Sequence, residues 1–453
     1  MIDGMSCLDC IDERVFGALE RLNGAGFEAY LVGGCVRDAL LGIAPKDYDL
    51  TTNGLPSQIW KVFEDRRRID TGITHGTVTV IWEGLSLEIT TYRVDGTYSD
   101  TRHPDQVRFT PSLREDAARR DFTINAMSWH PRKGLQDFFG GQTDLQQRLI
   151  RCVGQADQRF QEDALRILRA LRFSSVLHFD IQEETAAAAR RRQKLLGKLS
   201  PERVSAELGK LLCGKHVRKV LLDYVDVLGE VLPELLPMQG FEQRNFYHCY
   251  DVLTHTALVV ENVPARLPLR LAALFHDCGK PATFTIDQAG QGHFYGHEKV
   301  SAQLAKAALA RLRFDGETSQ WAVNLIRLHD LPLEADRRLI RRRLNQYGPH
   351  LLFDLLALKR GDNRGQSPAM LGRQDYYDQV EEALRQVLAE GACFSRKDLA
   401  IKGDDLLALG YRGKQVGNAL RFLLDSVIDD KVANEREALF HFELKWRELI
   451  MEL

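Results

Sequence analysis

The chain has 453 residues, 44% of them hydrophobic and 27% charged, enough for roughly three domains with sizeable cores. Its 61 Lys and Arg against 63 Asp and Glu leave a net charge of −2, which excludes a globally basic nucleic-acid coat and a polyacidic disordered chain. Any anionic partner must be held by local patches. No apolar run approaches the length of a membrane span. The start, MIDGMSCLDCIDER, has neither the basic end nor the apolar stretch of a signal peptide, and eight cysteines without disulfide-framework spacing suit a reducing cytoplasm. Cys7 and Cys10 form a lone CxxC, with no second pair or nearby His to complete a metal site.

Val15, Ala18, Leu19 and Leu22 fall at helical spacing and predict a first amphipathic helix, closed by Asn23 and Gly24. Tyr30–Val32 predicts a buried strand running into Gly33-Gly34, followed by a helix from Val36 to about Leu41. Asp47–Thr51 resumes as strand. Thr77–Trp82 and Ser86–Thr90 flank Glu83-Gly84, a hairpin signal. After about residue 155 strand signals fade and the pattern turns helical. The fold class is therefore α+β: a mixed head on a long all-α body.

Three features of the head carry chemistry. Gly33-Gly34 between strand and helix lets backbone N–H groups approach a phosphate, with Arg37 one turn in; the same pair also suits an ordinary tight turn. Asp47 and Asp49, two apart on a strand, send both carboxylates to one face. Such a pair repels unless cations lie between, as two Mg²⁺ roughly 3.5–4 Å apart would. In the hairpin, Leu87 and Ile89 face one way and Glu88 the other, so Glu88 can add a third carboxylate. A solvated acidic turn is the plainer alternative.

The segment LVGGCVRDALLGIAPKDYDLTTN resembles the signature of class II tRNA nucleotidyltransferases and bacterial poly(A) polymerases, members of the polymerase-β-like superfamily. LEITTYRVDGTYSDTRHP, RRDFTINAM, DFFGG with Asp144, and EDALRILRALRF are similar to further family motifs, in the family's order. The resemblance implies that Gly34 and Arg37 hold a triphosphate, that Asp47 and Asp49 bind Mg²⁺ with Glu88 as third carboxylate, and that Arg120 contacts the nucleotide. It implies template-independent addition of CCA to tRNA from CTP and ATP. An A-adding enzyme and a poly(A) polymerase share the same head motifs.

Glu162, Asp163 and Arg166 open the last of these motifs, and spacing places them at the start of one helix, with Arg169 and Arg172 recurring along it. An amphipathic helix with internal ion pairs would look the same. In the family this motif selects the base, and the chemistry is explicit. Cytosine and adenine each offer an amino donor beside a ring-nitrogen acceptor, which a carboxylate (Asp163) and a guanidinium (Arg166) complement; uracil and guanine have the reverse polarity. Glu162 would orient Arg166, and Arg169 and Arg172 would face the phosphates. Asp95 to Pro104 reads as a mobile loop without apolar period, and the resemblance implies that the terminal A needs it while the two Cs do not.

Between Arg190 and Lys219, ten Lys or Arg meet only Glu202 and Glu207, a patch able to follow an RNA backbone or simply to be solvated. SPERVSAELGKLL within it resembles the family's neck. Further on come His255, His276-Asp277 in LAALFHDCGK, His297, His329-Asp330, and Asp362 in KRGDNRGQ. This resembles the HD-superfamily metal constellation, with His255, His276, Asp277 and Asp362 as expected ligands of a second divalent cation and phosphohydrolase activity as its implied chemistry. A chain acting mainly as an HD phosphohydrolase is the alternative from another class. The expected organisation is a nucleotidyltransferase head over 1–155, a helical neck over 156–240, an HD domain over 241–370 and a tRNA-binding tail over 371–453. The expected partners are tRNA, CTP and ATP, with neither a membrane nor an obligate protein partner.

Overall fold

The computed structural model describes residues 10–72, 76–96 and 107–451. Cys7 and residues 97–106 lie outside these, so the expectations placed on them are not addressed by the fold. Two compact units divide the chain, residues 1–233 and 234–453. The expected head and neck fall in the first, the expected HD region and tail in the second, apart from a few residues at the join.

The first unit is built on a seven-stranded sheet. Its strands are β1 (Ala29–Val32), β2 (Tyr48–Thr52), β3 (Arg67–Gly72), β4 (Thr77–Trp82), β5 (Leu85–Thr91), and two later ones separated from these by the small β6 (Arg93–Asp95) and β7 (Val107–Phe109) ribbon. With β8 (Ser128–His130) and β9 (Gly134–Gln136) the order is β3-β4-β5-β2-β1-β8-β9, and β2 and β5 run parallel. Register explains the two-faced character. Leu31 pairs Leu50, Leu50 pairs Ile89 and Ile89 pairs Val78, a fully buried row across four strands. The adjoining row, Asp49, Glu88 and Thr79, must then point to the opposite face.

The amphipathic helix α1 (Arg14–Gly24) buries the four apolar residues its spacing predicted. The Gly-Gly turn leads into α2 (Gly34–Leu40), a little earlier than expected. Then come α3 (Leu113–Ala118), α4 (Ala156–Glu162), α5 (Leu165–Leu177) and α6 (Pro201–Leu212). The EDALRILRALRF motif is therefore not one helix from Glu162. Glu162 ends α4, and Asp163 is extended, its Oδ1 accepting from the Leu165 N–H at 3.0 Å. A short carboxylate that satisfies an orphan amide starts a new helix rather than continuing the old one.

Strand does not stop at residue 155: two-residue pairs occur at Leu149–Ile150 with Asp180–Ile181 and at Thr285–Ile286 with Gly292–His293. Otherwise the second unit is helical. The helices that matter for its site are α7 (Val252–Asn262), α8 (Leu267–Phe275), α9 (His297–Arg311), α10 (Gly316–Leu328) and α11 (Arg337–Gly365), the last broken at Gly348 before Pro349. Arg337, Arg341 and Arg342 pair with Glu390, Asp430 and Asp429, so this basic run ties α11 to later helices of the same unit. Among the described residues no helix is long and apolar enough to cross a membrane.

Candidate functional site

In the first unit, Asp49 and Glu88 are direct register partners, both exposed on the sheet face opposite the core. Asp47, one residue before β2, is exposed as well. Protein crowds Asp49 although one side stays open to solvent. That crowding, with Glu88 beside it and Asp47 adding to the repulsion, pushes its pKa up to about 6 against the pull of Arg120. The three carboxylates share a rim, but their oxygens do not form a group lying within 4.8 Å of one another. Gly33 closes the rim from the other side. Its φ of +76° suits glycine, and a Cβ there would stand 3.3 Å from Arg120 Nη1 and 3.8 Å from Asp49 Oδ2. The turn thus lets backbone approach both groups.

Arg37 is buried rather than exposed in the turn. Its guanidinium donates to Asp38 and, at 2.7 Å, to Asn125 Oδ1. Asn125 Nδ2 donates to Asp121 Oδ1 at 3.1 Å, and Asp121 Oδ2 accepts from Arg169 Nε at 2.7 Å. A continuous chain of bonds therefore joins α2 to α5. Burial alone would raise Asp121, but Arg169 and Asn125 outweigh it and hold the pKa down at about 2. Arg37, Arg169 and Arg172 all lie over the ring of Phe173, 5.0, 5.4 and 4.1 Å from its centre. Arg172 also pairs with Glu207 of α6. Three guanidiniums gathered on one ring make a cationic wall at the end of the RRDFTINAM segment.

Glu162, Asp163 and Arg166, the residues expected to select the base, are each held by a partner. Glu162 accepts from Arg166 Nη1 at 2.7 Å and from Arg159 Nη2 at 2.6 Å, while Arg166 Nη2 donates to the Arg119 carbonyl at 2.9 Å. Asp163 is gripped by Arg203 of α6 at 2.9 Å. Buried Asp116 receives Arg119 and Arg120 through its two oxygens. Sequence reasoning singled out neither Asp116, Asp121 nor Arg203. Arg203 lies inside SPERVSAELGKLL, where an Arg on a neck helix was the available signal; Asp121 had none beyond its place in RRDFTINAM, and Asp116 lies outside every quoted motif.

The basic stretch divides in two. Arg190, Arg191, Arg192, Arg203 and Lys219 are in ion pairs with Asp226, Asp157, Glu184, Asp163 and Asp223. Lys194, Lys198, Lys210 and Lys215 are exposed. The first set is neutralised within its own unit; the second is open both to the solvated-face alternative and to a patch that follows an RNA backbone.

In the second unit the HD residues converge. His255 comes from α7, His276 and Asp277 from the end of α8, His297 from the start of α9, His329 from the end of α10 and Asp362 from the last turn of α11. His255 Nε2 stands 3.3 Å from Asp277 Oδ2 and 3.0 Å from Asp362 Oδ1, and His276 Nε2 3.3 Å from Asp277 Oδ2. Burial opposes charge on His276, yet Asp277 and Asp362 outweigh it and push its pKa up to about 10. Burial likewise opposes charge on Asp277, but His276 and Lys280 hold it well below the usual carboxylate range. Imidazoles and carboxylates whose ligand atoms lie within 4.8 Å of one another form a donor set suited to a divalent cation. Gly365 is required for the approach of α11 to α7: a Cβ there would meet His255 Nδ1 at 2.9 Å. The cleft above the cluster, about 350 Å³, is rimmed by Tyr247 and Tyr295.

Comparison with known proteins fits both units. The family described as poly A polymerase head domain matches residues 29–151, a probable RNA-binding site of polymerase A matches 178–238, and tRNA nucleotidyltransferase domain 2 matches 296–442. The CCA-adding enzyme of Enterococcus faecalis is 32% identical over 434 residues, 95% of this chain and 95% of that protein. The chain belongs to the CCA-adding enzyme family. The family member from Lactobacillus delbrueckii is 47% identical over 218 residues, so that match spans about half the length of either protein. Among solved structures, the Bacillus stearothermophilus CCA-adding enzyme in complex with CTP superimposes with a TM-score of 0.74 at 26% identity, covering 97% of this chain and 98% of that one. Nucleotidyltransferases of this family use a divalent metal.

Proposed function

We propose that the protein adds CCA to the 3′ ends of tRNA from CTP and ATP without a nucleic-acid template. The observation that carries this reading is the end-to-end similarity to CCA-adding enzymes, which takes in the Asp49–Glu88 strand pair and the Glu162–Arg166 selecting segment together. Residues 1–155 hold the triphosphate and the carboxylates. Residues 156–240 select the base and follow the RNA, 241–370 form the HD domain, and 371–453 contact the tRNA body. Asp47 and Asp49, with Glu88 as third carboxylate, would hold Mg²⁺, a choice that the crowding and carboxylate repulsion raising Asp49 favour. When bound, Mg²⁺ lowers the pKa of the attacking 3′-hydroxyl and stabilises charge on the leaving pyrophosphate.

The chain's own groups do the rest. The Gly33-Gly34 backbone and Arg120 seat the triphosphate beside the carboxylates. Arg37, Arg169 and Arg172, stacked on Phe173, supply the positive field on the phosphate side. Asp163 accepts a hydrogen bond from the exocyclic amino group of C or A while Arg166, steadied by Glu162, donates to the ring nitrogen; Arg203 keeps Asp163 aimed. A carbonyl at the position of that amino group leaves two acceptors facing each other, which rejects U and G. The test supplies transcripts ending before CCA, after C and after CC, with each NTP in turn. Growth to three defined nucleotides is expected; a single A or a long A tail would identify the A-adding or poly(A) alternative.

The HD cluster favours a second activity, metal-dependent hydrolysis of a phosphate ester, with Tyr247 and Tyr295 offering ring faces for an unpaired base. His276→Ala with Asp277→Ala should leave CCA addition within about twofold of wild type and abolish phosphate release from nucleotide substrates. A folded double variant that no longer adds CCA would refute the separation of the two chemistries.

A further inference from the structure

Asp116, on α3 and fully buried, has no part in the chemistry described so far, yet its two oxygens reach toward different ends of the nucleotide site. Oδ1 accepts from Arg119 Nε at 2.9 Å and from the backbone N–H of Arg93 at 3.3 Å. Oδ2 accepts from the Thr51 hydroxyl at 3.2 Å and from Arg120 Nη2 at 3.4 Å. Burial opposes charge on this carboxyl, but Arg119 and Arg120 outweigh it and hold its pKa below the ordinary aspartate value. A buried carboxylate met by donors on both oxygens is fixed in place, because turning it would leave a buried donor unpaired.

The Oδ1 side leads to the base. The backbone carbonyl of Arg119 accepts from Arg166 Nη2 at 2.9 Å, so the guanidinium expected to read the base rests on a residue that Asp116 anchors by its side chain. The Oδ2 side leads to the phosphates. Arg120 extends from it to the carboxylate rim, where its charge attracts Asp49 and its Nη1 lies 3.3 Å from the place a Gly33 Cβ would take. Thr51 stands two residues from Asp49 on β2. One carboxylate is thus the common anchor of the base-reading arm and of the phosphate arm.

We propose that Asp116 is a positioning residue for nucleotide transfer: it holds Arg166 and Arg120 in fixed register, so that base reading and phosphate seating act on one nucleotide in one pose. The inference rests on the CCA-adding reading given above and adds to it a residue that acts only through its neighbours. The two arms can be cut separately. In Asp116→Asn the amide oxygen keeps the contacts to Arg119 and to the Arg93 N–H. The amide nitrogen then meets Thr51 Oγ1, whose hydrogen has the Thr90 carbonyl 3.2 Å away as its acceptor. Arg120 is left facing an N–H group and loses its partner. Arg119→Ala does the reverse: Asp116 keeps Thr51 and Arg120, and the carbonyl beneath Arg166 loses its anchor.

Steady-state transfer by the full chain to a transcript ending before CCA supplies two readouts. Competitive inhibition by inorganic triphosphate reports the phosphate arm alone, and the ratio of kcat/KM for CTP to that for UTP reports the base arm. Asp116→Asn should weaken triphosphate inhibition and raise KM for CTP by about tenfold each, with the C-over-U ratio within about twofold of wild type. Arg119→Ala should lower that ratio by about tenfold and leave triphosphate inhibition within about twofold. Melting curves establish that each variant is folded; Arg119, whose side chain is part-exposed, carries the test if Asp116→Asn does not fold. Variants that lower kcat for CTP and UTP alike, with KM, inhibition and ratio unchanged, would overturn the proposal and make Asp116 a structural residue of the head. Both readouts moving together in both variants would overturn the division into two arms. A wild type that takes U as readily as C would overturn the CCA-adding reading instead, a separate failure, and triphosphate inhibition would still test the phosphate arm.

Discussion

Replacing Asp49 with Asn should reduce transfer of CMP and of AMP by at least about a thousandfold while leaving tRNA affinity within about twofold, as expected when a carboxylate proposed to hold the Mg²⁺ that serves the reacting phosphate is removed. The same substitution should not lower the melting temperature. Asp49 is crowded and faces Glu88, so charge at this position already opposes folding, and a neutral amide of the same shape relieves that repulsion. The opposite pairing of effects, a lost fold with retained chemistry per folded molecule, would make Asp49 a structural residue. Single-turnover transfer on a transcript ending in CC, with circular dichroism melts on the same preparation, distinguishes the two. Asp47→Asn should behave alike in transfer, since Asp47 is exposed and carries no packing.

What could be read from the sequence was what depends on near neighbours. The first helix followed from apolar residues three and four apart. The face that Glu88 occupies needed only strand alternation, because residues two apart share a face and the hairpin fixed which face was apolar; its pairing with Asp49 across β2 and β5 did not follow from alternation. The start of α5 was misplaced because EDALRILRALRF is rich in helix formers, and only the Asp163 side chain, bonded to the Leu165 amide, interrupts it. Long-range partners were invisible. Asp121 reaches Arg169 and Asn125 reaches Arg37, 48 and 88 residues away, and no local pattern marks such a pairing. His297, His329 and Asp330 were seen as residues of the HD constellation, but which oxygen of Asp277 faces which histidine is a property of four helices meeting. The basic stretch was overcounted for a related reason: acidic partners such as Asp157 and Asp226 stand outside it in sequence.

The buried chain from Arg37 through Asn125 and Asp121 to Arg169 yields the second large effect, and it falls on stability first. Asp121→Asn keeps the shape of the side chain but removes the charge that Arg169 answers. Breaking a buried pair on one side leaves an uncompensated ion, at a cost of about 3–5 kcal/mol. For a unit of this size that should lower the melting temperature by about 10 °C at neutral pH. The acid limb gives an independent check. Asp121 is held at about 2, below the ordinary 3.8 of an aspartate, so the proton binds the unfolded chain more readily. Its stabilisation, about 2 kcal/mol for a shift of this size, is complete above the unfolded value and is lost as pH falls from about 4 toward 2. The wild-type protein should therefore lose stability through that window more steeply than the Asn variant. Arg169 also lies against Phe173 beside Arg37 and Arg172, so its release should weaken CTP and ATP binding together, by about tenfold, without changing which base is chosen. Selectivity stays because Asp163 is fixed by Arg203 and Arg166 by Glu162, bonds that do not pass through Asp121. A variant that melts with wild type at pH 7, or that begins to incorporate U, would show that the network does not do what its geometry implies.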